Sequence, residues 1–597
     1  MKRKNLILSL VCSILVAVTM ISFTVYSLVA PASKNNQDNG GIGSNVSIGG
    51  SNVVDPGDEI IIDENINELR DGSEELPYVL FSADNYVEML SEYGSKTQAK
   101  KTYVKEPVMV DDGTGALVPK YDENGEQVYQ NKVDEEGNLV FEFVLDEGGN
   151  KVYVPYYFEL GKNIDFAGFN YIPLFNDGSE FSGVINGNGY KLKNIAINVN
   201  ADNFSSEFAH KNAEQNLVSH IALFGDMNGA VVKDLTIEGL QINVDKAVCE
   251  NIENGAYSDG SSFLTEVSIG SIAGIANDSR IENVTVDSKI NAFAYALYSF
   301  NEKNELVPIG YNAVGGLFAA ANDVEIVKST VSVEISANAG YRYYVAGVAP
   351  YATEVDVKDS RIETSIVDNI SKEVASKQQR LTVSGMFVVA ETINVENTNI
   401  EFDVKEAAAS AEKRAEYYTA LGTSAHNNSM GKAAGIAVFL TADSDANKST
   451  FTNVSIVSDV DYDCIYAGVI LDVLNEVDKT IKELVKLDSV IVDSNVNVLV
   501  AYGYARQLIG ATVAFDETQT GANITLTGTT NLSKYKVTST VYQDYSATLF
   551  TYHRSRENCI AFSNKDLKFK ISTSIYEKLS VSDVMDVRFK VFGSVEY

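Results

Sequence analysis

Six stretches of this chain repeat one pattern. They are FSGVINGNGYKLKNIAI (181–197), IALFGDMNGAVVKDLTI (221–237), IGSIAGIANDSRIENVTV (269–286), VGGLFAAANDVEIVKSTV (314–331), VAGVAPYATEVDVKDSRI (345–362) and VSGMFVVAETINVENTNI (383–400). Each aligns on a small residue: Ser182, Ala222, Ser271, Gly316, Gly347 and Gly385. Ten positions on, every member is aliphatic: Leu192, Val232, Ile281, Ile326, Val357 and Val395. Twelve positions on, every member is polar: Asn194, Asp234, Asn283, Lys328, Asp359 and Asn397. Fifteen positions on, all are aliphatic again: Ile197, Ile237, Val286, Val331, Ile362 and Ile400. A unit of short strand, polar corner and short strand cannot bury its own apolar face. Stacked copies can.

Irregular unit spacing with β-branched inward positions excludes leucine-rich repeats and predicts a parallel β-helix, with equivalent residues about 4.8 Å apart. The polar corner then becomes a ladder in which Asn amides bond to the units above and below. The outward positions fit: Lys233, Glu282, Val327, Lys358 and Glu396 form one mixed row, and Arg280, Glu325 and Asp356 another. Mixed signs at strand spacing relieve repulsion, and Thr236, Thr285 and Thr330 suit an exposed β face. Later units are looser. Phe451, Asn453 and Ile456 take the marked places in one, and Leu487, Ser489 and Val492 in the next. Ile509-Gly510-Ala511 and Ser546-Ala547-Thr548 begin further units, and helical inserts are expected at 406–422 and within NEVDKTIKELVK after Leu474.

The chain of 597 residues is too long for one compact core, as a repeat array requires. Its formal charge of −34 excludes nucleic acid and anionic headgroups as partners. Lys2, Arg3 and Lys4 precede an uncharged apolar run to about Ala30, and Ala30-Pro31-Ala32 offers a cleavage signal. Residues 1–32 are therefore an export signal or, because the run is long enough to span a bilayer, a retained anchor. Either way the remainder faces outward, and the membrane is met only through this segment.

Residues 33–58 are rich in Gly, Asn and Ser and form a linker. Residues 59–160 form an N-terminal cap. Ser82 caps a helix whose Tyr86, Met89 and Leu90 share one face, and Gly94 ends it. Acidic turn signals recur at Asp122, Asp134 and Asp146 and predict a chain of β-hairpins. These turns lack the alternating oxygen ligands of a calcium loop. The β-helix is expected over 161–545, with a last unit and C-terminal cap at 546–597.

LGKNIDFAGFNYIPL (160–174), FSGVINGNGYKLKNI and the VGGLF- and IGSIAG-type starts resemble bacterial surface proteins with GLUG-type repeats. The resemblance covers about 155–400, with Tyr171 where that family commonly has Trp. It implies an all-β, right-handed parallel β-helix of pectin-lyase-like shape. Adhesins, uncharacterised surface proteins and enzymes share this architecture, so activity must be argued from residues.

Polysaccharide-cleaving enzymes on such scaffolds need paired carboxylates or acidic residues beside a basic group. Arg280, Glu325 and Asp356 are the best candidates, but a cross-coil charge ladder is the favoured explanation of them. Asp443-Ser-Asp445-Ala-Asn447-Lys448 starts like a calcium loop but has Lys448 where Gly is required. His210, His220, His426 and His553 lack ligand spacing, and Cys249, Cys464 and Cys559 lack any CxxC pair. NGNGY (186–190) is a tight turn without the Lys-Ser/Thr of a phosphate loop. No catalytic, cofactor-binding or metal-binding residue is therefore assigned. The expectation is an exported surface scaffold for a cell-surface glycan or protein ligand, with a polysaccharide lyase or glycoside hydrolase as the competing reading.

Overall fold

The computed structural model describes residues 62–571, apart from short turn positions and the segments 254–263, 293–297, 301–305, 309–311, 338–343, 370–380, 407–430, 442–447, 474–484, 499–504, 512–523, 528–530, 540–547 and 553–568. The expected export segment, linker, helical inserts, calcium-like loop and C-terminal cap lie wholly or largely outside the described residues. Among the described residues, no helix is long and apolar enough to cross a membrane. The chain divides into two compact units. One contains residues 103–140, and the other runs over 60–102 and from 141 onward.

The larger unit is built mainly of parallel strands in two long sheets, of 25 and 11 strands among the described residues. In the smaller sheet Thr236–Val244 pairs with Thr285–Ala292, then Thr330–Ala337, Arg361–Asp368, Asn399–Glu406, Ser455–Asp461, Ile491–Val498 and Asn531–Ser539. Each strand therefore finds its partner in the next sequence repeat. The register matches the repeat alignment: Val232 pairs with Ile281, Ile281 with Ile326, Ile326 with Val357, and Val357 with Val395. The column continues through Phe451 and Leu487, and all these side chains are buried. A second buried column runs Ile237, Val286, Val331, Ile362, Ile400, Ile456 and Val492. A third runs Ile197, Ile242, Ile290, Ile335, Ile366, Val404 and Val460; the repeat alignment marked only Ile197 of these and set it with Ile237, whereas it pairs with Ile242.

The first unit departs from the expected register. Leu192 pairs with Ile237, not Val232, and the true partner of Val232 is Ile185. The chain takes seven steps from Leu174 to Phe181 where the next repeat takes three from Phe224 to Met227. NGNGY then adds two more residues between the columns, with Asn188 and Gly189 both at positive φ, as a type I′ turn requires. Ser182 and Asn194 consequently leave the small and polar columns. Asn194 instead donates to Asp165 at 2.9 Å. The further unit expected at Ile509-Gly510-Ala511 is present, with Ile509 pairing with Ile470, two residues beyond Gly468.

The polar corner explains itself through its backbone. Asp234, Asn283, Lys328, Asp359, Asn397, Asn453 and Ser489 all have φ between 48° and 58°. Asn and Asp tolerate this left-handed region best among residues with side chains. Their amides form the predicted ladder: Asn283 donates to Asp234 at 2.6 Å, Asn397 to Asp359 at 3.0 Å and Asn453 to Asn397 at 2.8 Å. One left-handed residue turns the strand and resets its alternation, so the apolar side stays inside on both arms.

Ser82 caps the helix Ala83–Tyr93 by accepting from the Asn85 backbone N–H, as expected. Tyr86 and Leu90 bury against the first repeats, with Met89 partly covered. Gly94 is required for space: a Cβ there would sit under 3.0 Å from the Leu90 carbonyl and the rings of Phe175 and Phe181. Tyr171 is fully buried and donates its hydroxyl to the Leu223 carbonyl at 3.1 Å.

In the smaller unit, Lys105–Pro107 pairs antiparallel with Tyr129–Asn131, and Met109–Asp111 with Leu117–Pro119. The acidic turns are closed by their own backbone. Asp122 and Asp134 accept the N–H four residues on, and Asp146, in the larger unit, does the same. That contact from Asn150 holds the Asp146 carboxyl below its ordinary range.

Candidate functional site

The outward candidates sit as a ladder. Arg280 pairs in register with Glu325, and Glu325 with Asp356. Arg280 forms an ion pair with Glu325 and another with Glu282 at 3.0 Å. Lys358 reaches Asp356 at 2.7 Å and Glu325 at 4.0 Å, and Asn394 donates to Asp356 at 2.8 Å. Each group is thus engaged with neighbours on its own face. A cavity of about 110 Å³ lies elsewhere, lined by Ser73, Gln98, Lys101 and Tyr157 among others.

A second left-handed corner runs beside that ladder and was not marked in the sequence. Asp278, Asp323, Glu354 and Thr392 occupy it, with φ from 45° to 54°. Three successive carboxylates therefore stack at strand spacing. Burial raises the Asp323 carboxyl above its ordinary range, helped by a hydrogen bond with Asp278 and the charges of Asp278, Glu354 and Asp356. A carboxyl raised in the folded state favours folding at low pH, and that contribution is lost as pH rises through the folded value. Asp323→Asn is therefore expected to stabilise the protein at pH 7 and to lose that advantage near pH 4. Urea melts at both pH values test this, and an equal effect at both would refute it.

The structure brings together two histidines that sequence spacing kept apart. The Asn212 N–H donates to the Asn216 carbonyl, and His210–Lys211 pairs antiparallel with Leu217–Ile221. His210 stands opposite Val218, so His220 is its diagonal neighbour on the same face. Their rings meet edge to face at 5.4 Å. The bend after Ile221 then delivers Asp226 from Phe224–Asn228, and the parallel strand Leu264–Ile269 delivers Glu266.

His220 is 6% exposed and held between two carboxylates. Its Nε2 lies 3.2 Å from Glu266 Oε1, and its Nδ1 lies 2.7 Å from Asp226 Oδ1. The second pair is close without forming a hydrogen bond: both atoms, with His210 Nδ1, are buried and lack a hydrogen-bond partner. Burial alone would lower the His220 imidazole, but Asp226 and Glu266 outweigh it and push it up to about 10. His210 is lowered by burial and by the His220 charge, so its ring stays neutral at pH 7. One ligand atom from each of His210, His220 and Asp226 falls within 4.8 Å of the others. Two imidazoles and a carboxylate form a donor set suited to zinc-class ions.

Of the remaining expectations, Cys464 is buried in the core. His426, His553, Cys559 and the Cys249 side chain lie outside the described residues. No protein-family model matches this chain, and no characterised protein matches it.

Proposed function

We propose that this chain is exported and displayed at a bacterial cell surface as a right-handed parallel β-helix, where its lateral face binds a glycan or protein ligand without catalysis. The register-matched aliphatic columns and left-handed corners support the β-helix. The resemblance to GLUG-repeat surface proteins supports its handedness and setting. The apolar N-terminal run supports export, and the linker after it supports display at a distance from the membrane.

The observation that carries the non-catalytic reading is the pairing of Arg280, Glu325, Asp356 and Lys358 with one another along the strands. A general acid or base must be able to exchange its proton with substrate, and groups locked into a solvated ladder serve stacking instead. Mixed charge along a flat β face also suits a broad, shallow contact. The test incubates the purified chain with a panel of cell-surface polysaccharides, measuring retention on immobilised glycan and release of reducing or unsaturated ends. Saturable retention without new ends is expected. Steady turnover that disappears in Asp356→Ala would establish the lyase or hydrolase instead.

A further inference from the structure

The His210, His220 and Asp226 cluster has features that ordinary polar packing leaves unexplained. With Nε2–H of His220 donating to Glu266, the neutral ring would present an Nδ1 lone pair toward Asp226 Oδ1, 2.7 Å away. Two buried acceptors face to face repel each other unless a proton or a metal cation lies between them. His210 Nδ1 is a third buried acceptor or donor without a partner. Ligand atoms about 2.0–2.1 Å from a zinc ion stand roughly 3.3 Å apart in tetrahedral geometry, so the present spread needs only a modest adjustment of side chains. The carboxylate on the far nitrogen of His220 is the partner that metal-bound histidines ordinarily have, because it fixes the tautomer and strengthens the ligand nitrogen.

We propose that His210, His220 and Asp226 bind one divalent transition-metal ion of the zinc class, with Glu266 as the positioning residue behind His220 and water completing the coordination. The site would act as a clasp. His210 comes from the strand His210–Lys211, His220 from Leu217–Ile221 and Asp226 from Phe224–Asn228. One ion therefore ties three consecutive segments together at the start of the repeat stack, and binding that is specific to the folded state raises stability by mass action. The rival is a proton: a doubly protonated His220 between two carboxylates needs no metal.

The test uses the purified full chain, freed of metal with a chelator, with Zn²⁺, Co²⁺ and Cu²⁺ as probes in excess Mg²⁺ to occupy surface carboxylates. One equivalent of Zn²⁺ is expected to bind and raise the melting temperature. Co²⁺ should give the visible bands of a low-coordinate site, bleached by Zn²⁺. His210→Gln and Asp226→Asn should each weaken binding about 100-fold or more, beyond the roughly 10–100-fold that loss of an outer-shell partner costs. The Cu²⁺ complex of the unaltered protein should show magnetic coupling to imidazole nitrogen, a readout that needs no variant to fold. Absence of stoichiometric binding, affinity unchanged in His210→Gln, or a copper spectrum with oxygen ligands alone would each overturn the proposal.

Discussion

Gly347→Val is expected to abolish cooperative folding of the central repeats. A Cβ at Gly347 would lie under 3.0 Å from both Thr364 Oγ1 and the Gly385 carbonyl oxygen. Gly316 faces the Gly347 carbonyl in the same way, Gly385 that of Gly435, and Gly435 that of Gly468. The column is small because each member supports the backbone of the next repeat, and backbone atoms cannot rotate aside as a side chain can. Overpacking ordinarily costs about 1–3 kcal/mol, and more where nothing can yield. The loss here should therefore exceed about 3 kcal/mol. In a stack held by nearest neighbours it should also divide the molecule, so that urea melts become biphasic. Gly178→Ala is the contrast. It has positive φ but only the Lys211 carbonyl oxygen nearby, at 3.6 Å, so it should cost about 1 kcal/mol. Equal melts for the two variants would refute tight packing at the bend.

The stack was legible from residue classes because a strand has period two and a buried column admits only aliphatic side chains. Val232, Ile281, Ile326 and Val357 therefore announced themselves. The first unit misled because the longer path from Leu174 to Phe181 and the NGNGY turn shift the count without changing the classes. Leu192 is as aliphatic as the residue whose place it seemed to take. The corner at Asp278, Asp323, Glu354 and Thr392 was missed for another reason. What its members share is a backbone angle, and neither Glu nor Thr advertises the left-handed region. The histidine cluster was least legible of all. It needs a turn to set His210 beside His220, a bend to bring Asp226 round, and a strand pairing that supplies Glu266 from 46 residues away. The one local signal was the polar run KNAEQN between two short β-prone segments, which places the flanking histidines diagonally once it is taken as a hairpin turn.

Alternation along a single strand gives the second large effect. Ile326 is fully buried between Ile281 and Val357, whereas its neighbour Glu325 points outward and is 35% exposed. Ile326→Asp forfeits the burial of an Ile side chain, about 2–3 kcal/mol, and places a carboxyl among aliphatic groups where nothing can hydrogen-bond it. The combined loss should be on the order of 5 kcal/mol, which few mutations exceed. The buried carboxyl would be raised in the folded state, so the damage should be smaller at pH 4 than at pH 8. Glu325→Ala removes a partner from Arg280 and Lys358 but leaves both with other carboxylates, Glu282 and Asp356. It should cost within about 1 kcal/mol, as exposed ion pairs do. One position along the chain therefore separates the largest expected loss from one of the smallest. A chain in which the two substitutions cost the same would not have Ile326 in a common interior at all.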